Sequence, residues 1–256
     1  MQEIIEYKGW IIAVSFLLFL GLEHLFPVVK IGANALRRIL KNLLFWPINI
    51  ALSLLIILPV SYGASEYVLW GRPEWFTGNI YSFFFDILIL DMFIFWWHKT
   101  VHEVPFLWRF HEVHHLDEHL DTTSAIRFHF GEIFFSAFVR GALIIGFAIP
   151  FTSIVVFETL VLVFTLFHHS NVSLPLRIEK PLSYLIVTPS LHWVHHHALR
   201  QDTDSNYGTI FSFWDRLFRT KSDTLRRKEM KIGVEGKSDK ALSELLILPF
   251  IKKDGS

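Results

Sequence analysis

Histidines are the residues in this chain from which chemistry can be inferred first. The chain has 256 residues with 14 histidines and no cysteine. Most of the histidines stand in four short clusters: HKTVH (98–102), HEVHH (111–115), HHSN (168–171) and HWVHHH (192–197). Positions i, i+3 and i+4 share one face of a helix, so each HxxxH or HxxHH run presents two or three imidazoles together. Without thiolates, any metal site must use imidazole and carboxylate ligands.

The number of clustered histidines favours two metal ions. A lone histidine is more often a surface or core residue than a ligand, but at this frequency one HxxHH run arises by chance only about 0.04 times per chain. A structural zinc ion needs four ligands, and about nine histidines are offered here. Imidazole suits Zn, Cu, Fe and Ni. Two irons would fit O₂ activation, and geometry alone does not exclude two zinc ions.

Apolar segments place these clusters in a membrane protein. Hydrophobic residues make up 52% of the chain and its mean hydropathy is +0.40, above the roughly 45–50% apolar content of soluble domains. We predict an all-α, integral-membrane bundle of four to five hydrophobic helices with a cytosolic helical cap that carries the His clusters. A span needs about 20 residues. The predicted spans are 9–29, which we expect to be retained rather than cleaved, 43–62, 80–97, and a hairpin of 133–149 and 151–167 around Pro150.

Charged loops predict the orientation of the bundle. Segment 30–41 carries Lys30, Arg37, Arg38 and Lys41 and no acid, so the positive-inside rule places it in the cytoplasm and loop 63–79 outside. Every His cluster then falls on the cytoplasmic side. The net charge is zero, which gives no electrostatic reason to expect a nucleic-acid partner.

Charged residues inside the spans predict further contacts. Asp91 lies seven residues before His98 and hence on the same helix face, so we expect it to face the bundle interior. Arg140 and Glu158 lie at similar distances on either side of Pro150. We predict that they pair across the hairpin.

Taken together, the motifs resemble those of the fatty acid hydroxylase/sterol desaturase superfamily. HxxxH and the two HxxHH runs follow that family's order and spacing, RFHFGE (127–132) resembles its Arg-x-His-x-x-Glu stretch, and His169-Ser-Asn171 is similar to its single-His motif. Asn206-Tyr-Gly208 and the segment 214–220 resemble its closing signature, although Arg219 stands where many members have Gly. The resemblance covers residues from about 85 to 220. We therefore divide the chain into N-terminal transmembrane helices (1–79), a catalytic domain (80–220) and a C-terminal cytosolic tail (221–256).

The resemblance implies a set of site residues. The implied cofactor is a non-haem di-iron centre, with zinc possible in a purified protein and O₂ as co-substrate. The implied metal ligands are His98, His102, His111, His114, His115, His169, His192, His195 and His196. His168 and His197 are weaker candidates, and we expect no role for His24 and His119. Residues expected to support the ligands or line a substrate channel are His129, Glu132, Asn171, Asp202, Asp204, Asn206 and Asp91.

The expected activity is O₂-dependent hydroxylation or desaturation of a lipid C–H bond. Such a reaction needs the metal centre, because no side chain can attack this bond without a cofactor. The lipid is expected to enter from the bilayer, and a separate electron-donor protein is implied. Fatty acyl, sterol and ether-lipid substrates all stay open, as does cleavage of an ether lipid by hydroxylation.

Two alternative functions remain. The first is an intramembrane zinc metalloprotease, since His111-Glu112-Val113-His114-His115 fits H-E-x-x-H. The second is a metal-binding membrane protein without catalytic activity.

Overall fold

Helices make up nearly all the regular structure of the chain. A computed structural model describes residues 2–30, 32 and 35–251, and within these residues β-pairing is limited to isolated bridges. The α-helices are α1 (Gln2–Leu25), α2 (Ala35–Leu43), α3 (Phe45–Leu52), α4 (Leu58–Glu66), α5 (Ile80–Glu103), α6 (Pro105–His115), α7 (Phe130–Phe147), α8 (Phe151–His169), α9 (Leu176–Leu182), α10 (Pro189–His195), α11 (Arg200–Thr203), α12 (Phe213–Leu217) and α13 (Leu242–Ile247).

Within the described part of the chain, five helical segments are long and apolar enough to cross a membrane. They are Glu6–Leu25, Ala35–Glu66, Ile80–Glu103, Phe130–Phe147 and Phe151–His169. The second combines α2, α3, a π-helical turn (Ser53–Ile57) and α4 into one nearly continuous rod. These segments fit a multi-pass membrane protein and confirm the predicted all-α bundle of four to five hydrophobic helices.

Helix α2 corrects one predicted boundary. Residues 30–41 were predicted as a loop, but helix begins at Ala35. We call residues 104–129 and 170–236, which lie outside the spanning helices at one end of the bundle, the cap. Two polar side chains of α2 face it: Arg38 forms ion pairs with Asp117 (3.0 Å) and Asp121, and Asn42 donates to Asp117 (2.7 Å). These charges therefore stabilise helix instead of marking a loop.

The predicted hairpin and its ion pair are both present. Helix α7 ends with Ala148 in the left-handed conformation (φ 49°), and α8 begins after Pro150. Arg140 and Glu158 lie 3.6 Å apart, and Lys8 donates to the other oxygen of Glu158 (2.8 Å). The predicted pairing across the hairpin is confirmed.

Cap and bundle meet where several spanning helices end. The chain after α1 pairs with the chain after α8, since Val28 N–H donates to the Asn171 carbonyl (2.9 Å). Helix α6 packs on α5, and α10 packs on α8. The ends of α5 and α8, which carry His98, His102 and His169, therefore come together beneath α6 and α10.

The last described part of the chain packs against the cap. We call residues 237–251 the C-terminal strap. Leu245 in this strap is fully buried against Phe45, Val113 and Leu116. Asp239 forms ion pairs with Arg127 (2.5 Å) and Lys41. The strap thus covers the side of α6 that faces away from the histidines.

Candidate metal centre

Nine histidine side chains converge at the junction of cap and bundle. They form two adjacent groups, and within each group the ligand atoms all lie within 4.8 Å of one another. The five-His group consists of His98, His102, His111, His115 and His195, and the four-His group of His114, His169, His192 and His196. These are the nine histidines that the family resemblance singles out as ligands.

Each HxxHH run contributes to both groups. In α6, His111 and His115 enter the five-His group and His114 enters the four-His group. The run at the end of α10 is divided in the opposite way, because His192 and His196 join the four-His group and His195 the five-His group. Successive residues point about 100° apart on a helix, so one run reaches two neighbouring centres. The rings of His115 and His196 stack between them with centroids 4.3 Å apart.

Hydrogen bonds at Nδ1 orient most of the nine rings. The Nδ1 atoms of His98, His114, His169 and His195 each contact a backbone carbonyl, at 2.6–3.2 Å, from Tyr207, Arg127, Thr165 and Ser205 respectively. Those of His102 and His111 face the carboxylates of Asp204 (3.2 Å) and Glu132 (3.0 Å). Carbonyls and carboxylates accept only, so each of these six Nδ1 atoms donates and each neutral ring keeps its lone pair on Nε2.

The Nε2 atoms of neighbouring rings then face one another, and a bound cation would offset the repulsion between their lone pairs. The Nε2 atoms of His98 and His111 lie 3.2 Å apart, and those of His114 and His169 lie 3.0 Å apart. Both atoms in each pair present lone pairs, which repel unless a positive charge lies between them. Two nitrogens bound to one ion at about 2.1 Å are separated by about 3.0–3.4 Å in octahedral or tetrahedral geometry.

The remaining histidines complete this donor set. The Nε2 of His115 lies 3.2 Å from that of His111, and the Nε2 of His192 lies 3.0–3.1 Å from those of His169 and His196. The Nε2 atoms of His102 and His195 are buried and have no hydrogen-bond partner within the described residues. Unsatisfied buried nitrogen atoms of this kind are costly in an apoprotein. The residues present therefore fit two metal ions.

Burial keeps the cap histidines in the neutral form that binds metals. Burial, followed by the charge of neighbouring imidazoles, holds the pKa of His114, His115, His192 and His196 well below the ordinary value of 6.5. Burial also lowers the pKa of His195 to about 3. Near neutral pH these rings need lose no proton before binding a metal.

The weaker histidine candidates lie outside both groups. His168 is buried against the ring of His192 (centroids 4.1 Å apart), and His197 contacts Asp202 through Nδ1 (2.7 Å). His119 is half-buried, and Nδ1 of His24 contacts the Leu20 carbonyl within its own helix.

The supporting residues divide into those that touch a ligand and those that brace the surrounding chain. Of the seven expected, Glu132 and Asp204 contact predicted ligands directly. Asp91 is fully buried and accepts from the backbone of Ile210 and Phe211 (3.1 Å each) and from Trp214 Nε1 (2.9 Å). It faces the interior as predicted, and it holds the closing segment in place.

The other four brace turns or helix ends. Asn171 bonds the backbone of Val28 and Val29, and Asn206 bonds the carbonyl of Leu191 and the N–H of Ser222. Asp202 accepts from His197, as noted above. His129 caps α7 by accepting from Gly131 N–H (3.0 Å), and its Nε2 contacts the strap at the Leu246 carbonyl (3.0 Å).

Sequence reasoning missed several contacts of the ligands. The carbonyls of Tyr207, Arg127, Thr165 and Ser205 orient four rings, but every residue has a carbonyl, so no residue type signals this role. The Tyr207 ring also packs against His98, His102 and His195, with centroids 5.2–6.0 Å apart. Its place in the Asn-Tyr-Gly motif was the available signal.

Glu112, the general base of the protease alternative, is held away from the two groups. Its buried carboxylate forms an ion pair with Lys237 of the strap. Glu112 is not among the residues of either group. The glutamate of this H-E-x-x-H run thus contacts the strap and is not a member of either His group.

Comparison with known proteins agrees with these motifs. The fatty acid hydroxylase family profile matches residues 83–220, more than half of the chain. Alkylglycerol monooxygenase of Xenopus tropicalis is 31% identical over 140 residues, which cover 55% of this chain and 30% of that protein. Ornithine lipid hydroxylase OlsE of Rhizobium tropici is 28% identical over 167 residues, covering 65% and 50%. Human alkylglycerol monooxygenase is 29% identical over 155 residues, covering 60% and 33%.

The matched part thus spans half or less of these relatives' own lengths. No solved structure matches the chain significantly. The profile match extends from the fourth residue of α5 to the end of the closing signature, and so includes all nine converging histidines. This chain belongs to the fatty acid hydroxylase family.

Proposed function

We propose that this protein is a membrane-embedded oxygenase that hydroxylates an alkyl or acyl chain of a lipid, using two metal ions bound by the five-His and four-His groups. The observation that carries the proposal is the convergence of nine imidazoles whose Nε2 lone pairs face each other in two adjacent groups. Support also comes from the family match and from the five apolar helices.

Iron is the metal we propose for both groups. Neutral imidazole suits Zn, Cu, Fe and Ni, and the chain contains no cysteine for softer ligation. Zinc has no redox chemistry, whereas the related alkylglycerol monooxygenase and ornithine lipid hydroxylase are named for oxygen-inserting activities. When bound, a pair of irons would supply the activation of O₂ that attack on an unactivated C–H bond requires.

The protein's own residues orient and enclose this centre. Glu132 and Asp204 fix the tautomers of His111 and His102, which directs both Nε2 atoms into the five-His group. Trp108 is buried beside the ring of His102, with centroids 4.9 Å apart. Arg200 lies over the outer side of Trp108, 4.4 Å from the ring centroid. These layers exclude water from the face of the five-His group that α6 and α11 cover.

Hydroxylation is the reaction favoured over desaturation. The two kinds of relative are named as an alkylglycerol monooxygenase and an ornithine lipid hydroxylase, and both names specify a lipid or an alkylated glycerol. We propose that such a lipid reaches the centre from the bilayer. The chain has no cysteine for a Cys₄ iron–sulfur cluster, so the reducing electrons are assigned to a separate donor protein.

The orientation of the bundle is part of the proposal. The cations of α2 lie at the same end of the bundle as the histidines, since Arg38 pairs with Asp117 and Lys41 with Asp239. We therefore place both His groups on the cytoplasmic side. An Asp223→Cys variant, whose side chain is fully exposed in the cap, should react with a membrane-impermeant maleimide in inverted vesicles and not in intact cells.

Metal analysis and turnover test the proposal together. Purified protein should contain about two irons per chain, and comparative lipidomics of cells with and without the gene should show a lipid that gains one oxygen atom in an O₂-dependent way. Two zinc ions without turnover would favour the non-catalytic alternative. One zinc ion, with peptide cleavage abolished by Glu112→Gln, would favour the protease, although the Glu112–Lys237 ion pair argues against it.

A further inference from the structure

The second half of the C-terminal strap leaves large apolar side chains uncovered. Its inner face is buried through Leu245 and Pro249. Its outer face exposes Ile247 (53%), Phe250 (60%) and Ile251 (51%). Three such side chains next to one another on a short segment mark a contact surface, since exposed apolar residues of soluble surfaces are usually scattered.

The character of the exposed side chains changes along the strap. In the first turn of α13 the exposed residues are Ser243 and Glu244, and one turn later they are Ile247, Phe250 and Ile251. The strap is therefore polar where it begins and apolar where it ends. This order fits a segment that runs from water into the boundary of the bilayer.

The apolar end of the strap is continuous with a spanning helix. Phe250 packs against Phe110 and Phe130, with ring centroids 5.7 and 6.2 Å apart. Phe130 is the first residue of α7, and farther along this helix Phe134 and Phe138 are 38% and 51% exposed. The outer face of the strap thus extends the surface that α7 presents to lipid.

We propose that residues 247–251 insert into the boundary of the bilayer at the cap end of the bundle and contact lipid acyl chains through Ile247, Phe250 and Ile251. The occupant of this surface is bilayer lipid, because the patch continues the face of a spanning helix. The inference is independent of the proposed oxygenase activity.

Site-directed spin labelling tests this placement directly. The chain has no cysteine, so one introduced cysteine is the only labelling site. Ile247→Cys and Ile251→Cys probe the apolar end and leave Phe250 and its ring contacts in place. Ser243→Cys on the same strap is the matched control, Leu55→Cys (Leu55 is 72% exposed in the second span) is the lipid reference and Asp223→Cys is the water reference.

The measurement is the accessibility of each nitroxide to dissolved O₂ and to a water-soluble nickel chelate, in phosphatidylcholine proteoliposomes. We expect the labels at 247 and 251 to have higher access to O₂ and lower access to nickel than the label at 223, as a lipid-facing label such as that at 55 does, and the label at 243 to match that at 223. Nickel access at 247 and 251 as high as at 223 would overturn the proposal, because the strap would then lie in water. Low access to both probes would overturn it as well, because protein would then cover the patch.

Discussion

The five-His and four-His groups differ in the hydrogen-bond partners of their Nδ1 atoms. In the five-His group, two rings are backed by carboxylates, those of Glu132 and Asp204. In the four-His group, His114 and His169 are backed by neutral carbonyls, and the Nδ1 atoms of His192 and His196 have no hydrogen-bond partner among the described residues. A carboxylate behind an imidazole makes it a more basic ligand, so the five-His group is the more electron-rich of the two.

The two groups also differ in their distance from water. The side chain of Asp204 is 34% exposed and lines, together with Ser205 and Tyr207, a polar cleft of about 620 Å³. No histidine of either group lines this cleft, but Asp204, Ser205 and Tyr207 contact His102, His195 and His98 of the five-His group. The five-His group thus lies one residue away from a route to solvent, and we expect the two proposed metal ions to have unequal duties.

Removing one ligand from each group should have the largest effect. His195→Ala in the five-His group and His192→Ala in the four-His group should each lower bound metal by about one ion and abolish turnover. Each change removes a nitrogen ligand from a buried group, and alanine cannot bind the metal in its place. His98→Ala, His114→Ala and His169→Ala should behave alike. Metal content by mass spectrometry and product formation are the measurements.

His24→Ala is the control for this set, because among the described residues His24 bonds only to its own helix. It should leave metal content and turnover unchanged. Metal and activity retained in His195→Ala would break the assignment of the nine ligands.

Removing the carboxylates should affect only the five-His group. Glu132→Gln and Asp204→Asn keep the shape of the side chain and remove its charge, and loss of such support typically lowers metal affinity about 10–100-fold. The buried Glu132 should have the larger effect, because water can replace part of the exposed Asp204 contact. Metal titration of the apoprotein measures this. An equal loss from both sites would contradict the proposed asymmetry.

The two sites should also release metal at different rates. With a water-soluble chelator, loss of metal should show two phases, and the fast phase should belong to the five-His group beside the cleft. In Asp204→Asn the fast phase should become faster and the slow phase should stay the same. A single phase in the wild-type protein would mean that the cleft does not distinguish the sites.

The spans and the nine histidines could be predicted, but their division into two groups could not. Hydropathy marks a segment of about 20 apolar residues whatever its neighbours are, and HxxHH spacing places three rings near one face of a helix. Whether His114 shares an ion with His111 or with His192 depends on how α6 docks against α8 and α10. That docking rests on distant contacts, such as the one between Val28 and Asn171.

The support that the strap gives to the cap could not be predicted from the sequence either. Residues 221–256 were set apart as a tail, and the part described to residue 251 buries Leu245 and Ile232 in the cap. Arg127, in the Arg-x-His-x-x-Glu stretch, pairs with Asp239 of the strap, and its carbonyl accepts from His114. The partner lies 112 residues away, beyond the reach of local spacing.

Asp239→Asn tests whether the strap supports the four-His group through Arg127. Of the predicted effects, this one should be the smallest. Burial raises the pKa of the Asp239 carboxyl, but the hydrogen bonds and charges of Arg127 and Lys41 outweigh burial and hold it below the ordinary value of 3.8. The unfolded chain therefore binds a proton more readily. The carboxylate contributes stability that is present above pH 3.8 and is lost as the pH falls through the folded-state pKa.

The substitution should lower the free energy of unfolding near neutral pH by about 1–3 kcal/mol, the cost of leaving a buried charged partner unsatisfied. It should also weaken the loss of stability on acidification below pH 4. Thermal unfolding in detergent across this pH range measures both effects. If Arg127 positions the carbonyl that faces His114, the slow phase of metal release should quicken while the fast phase stays unchanged, the reverse of the result expected for Asp204→Asn. A change confined to the fast phase would instead assign the strap to the five-His group, through His129 and the first turn of α7.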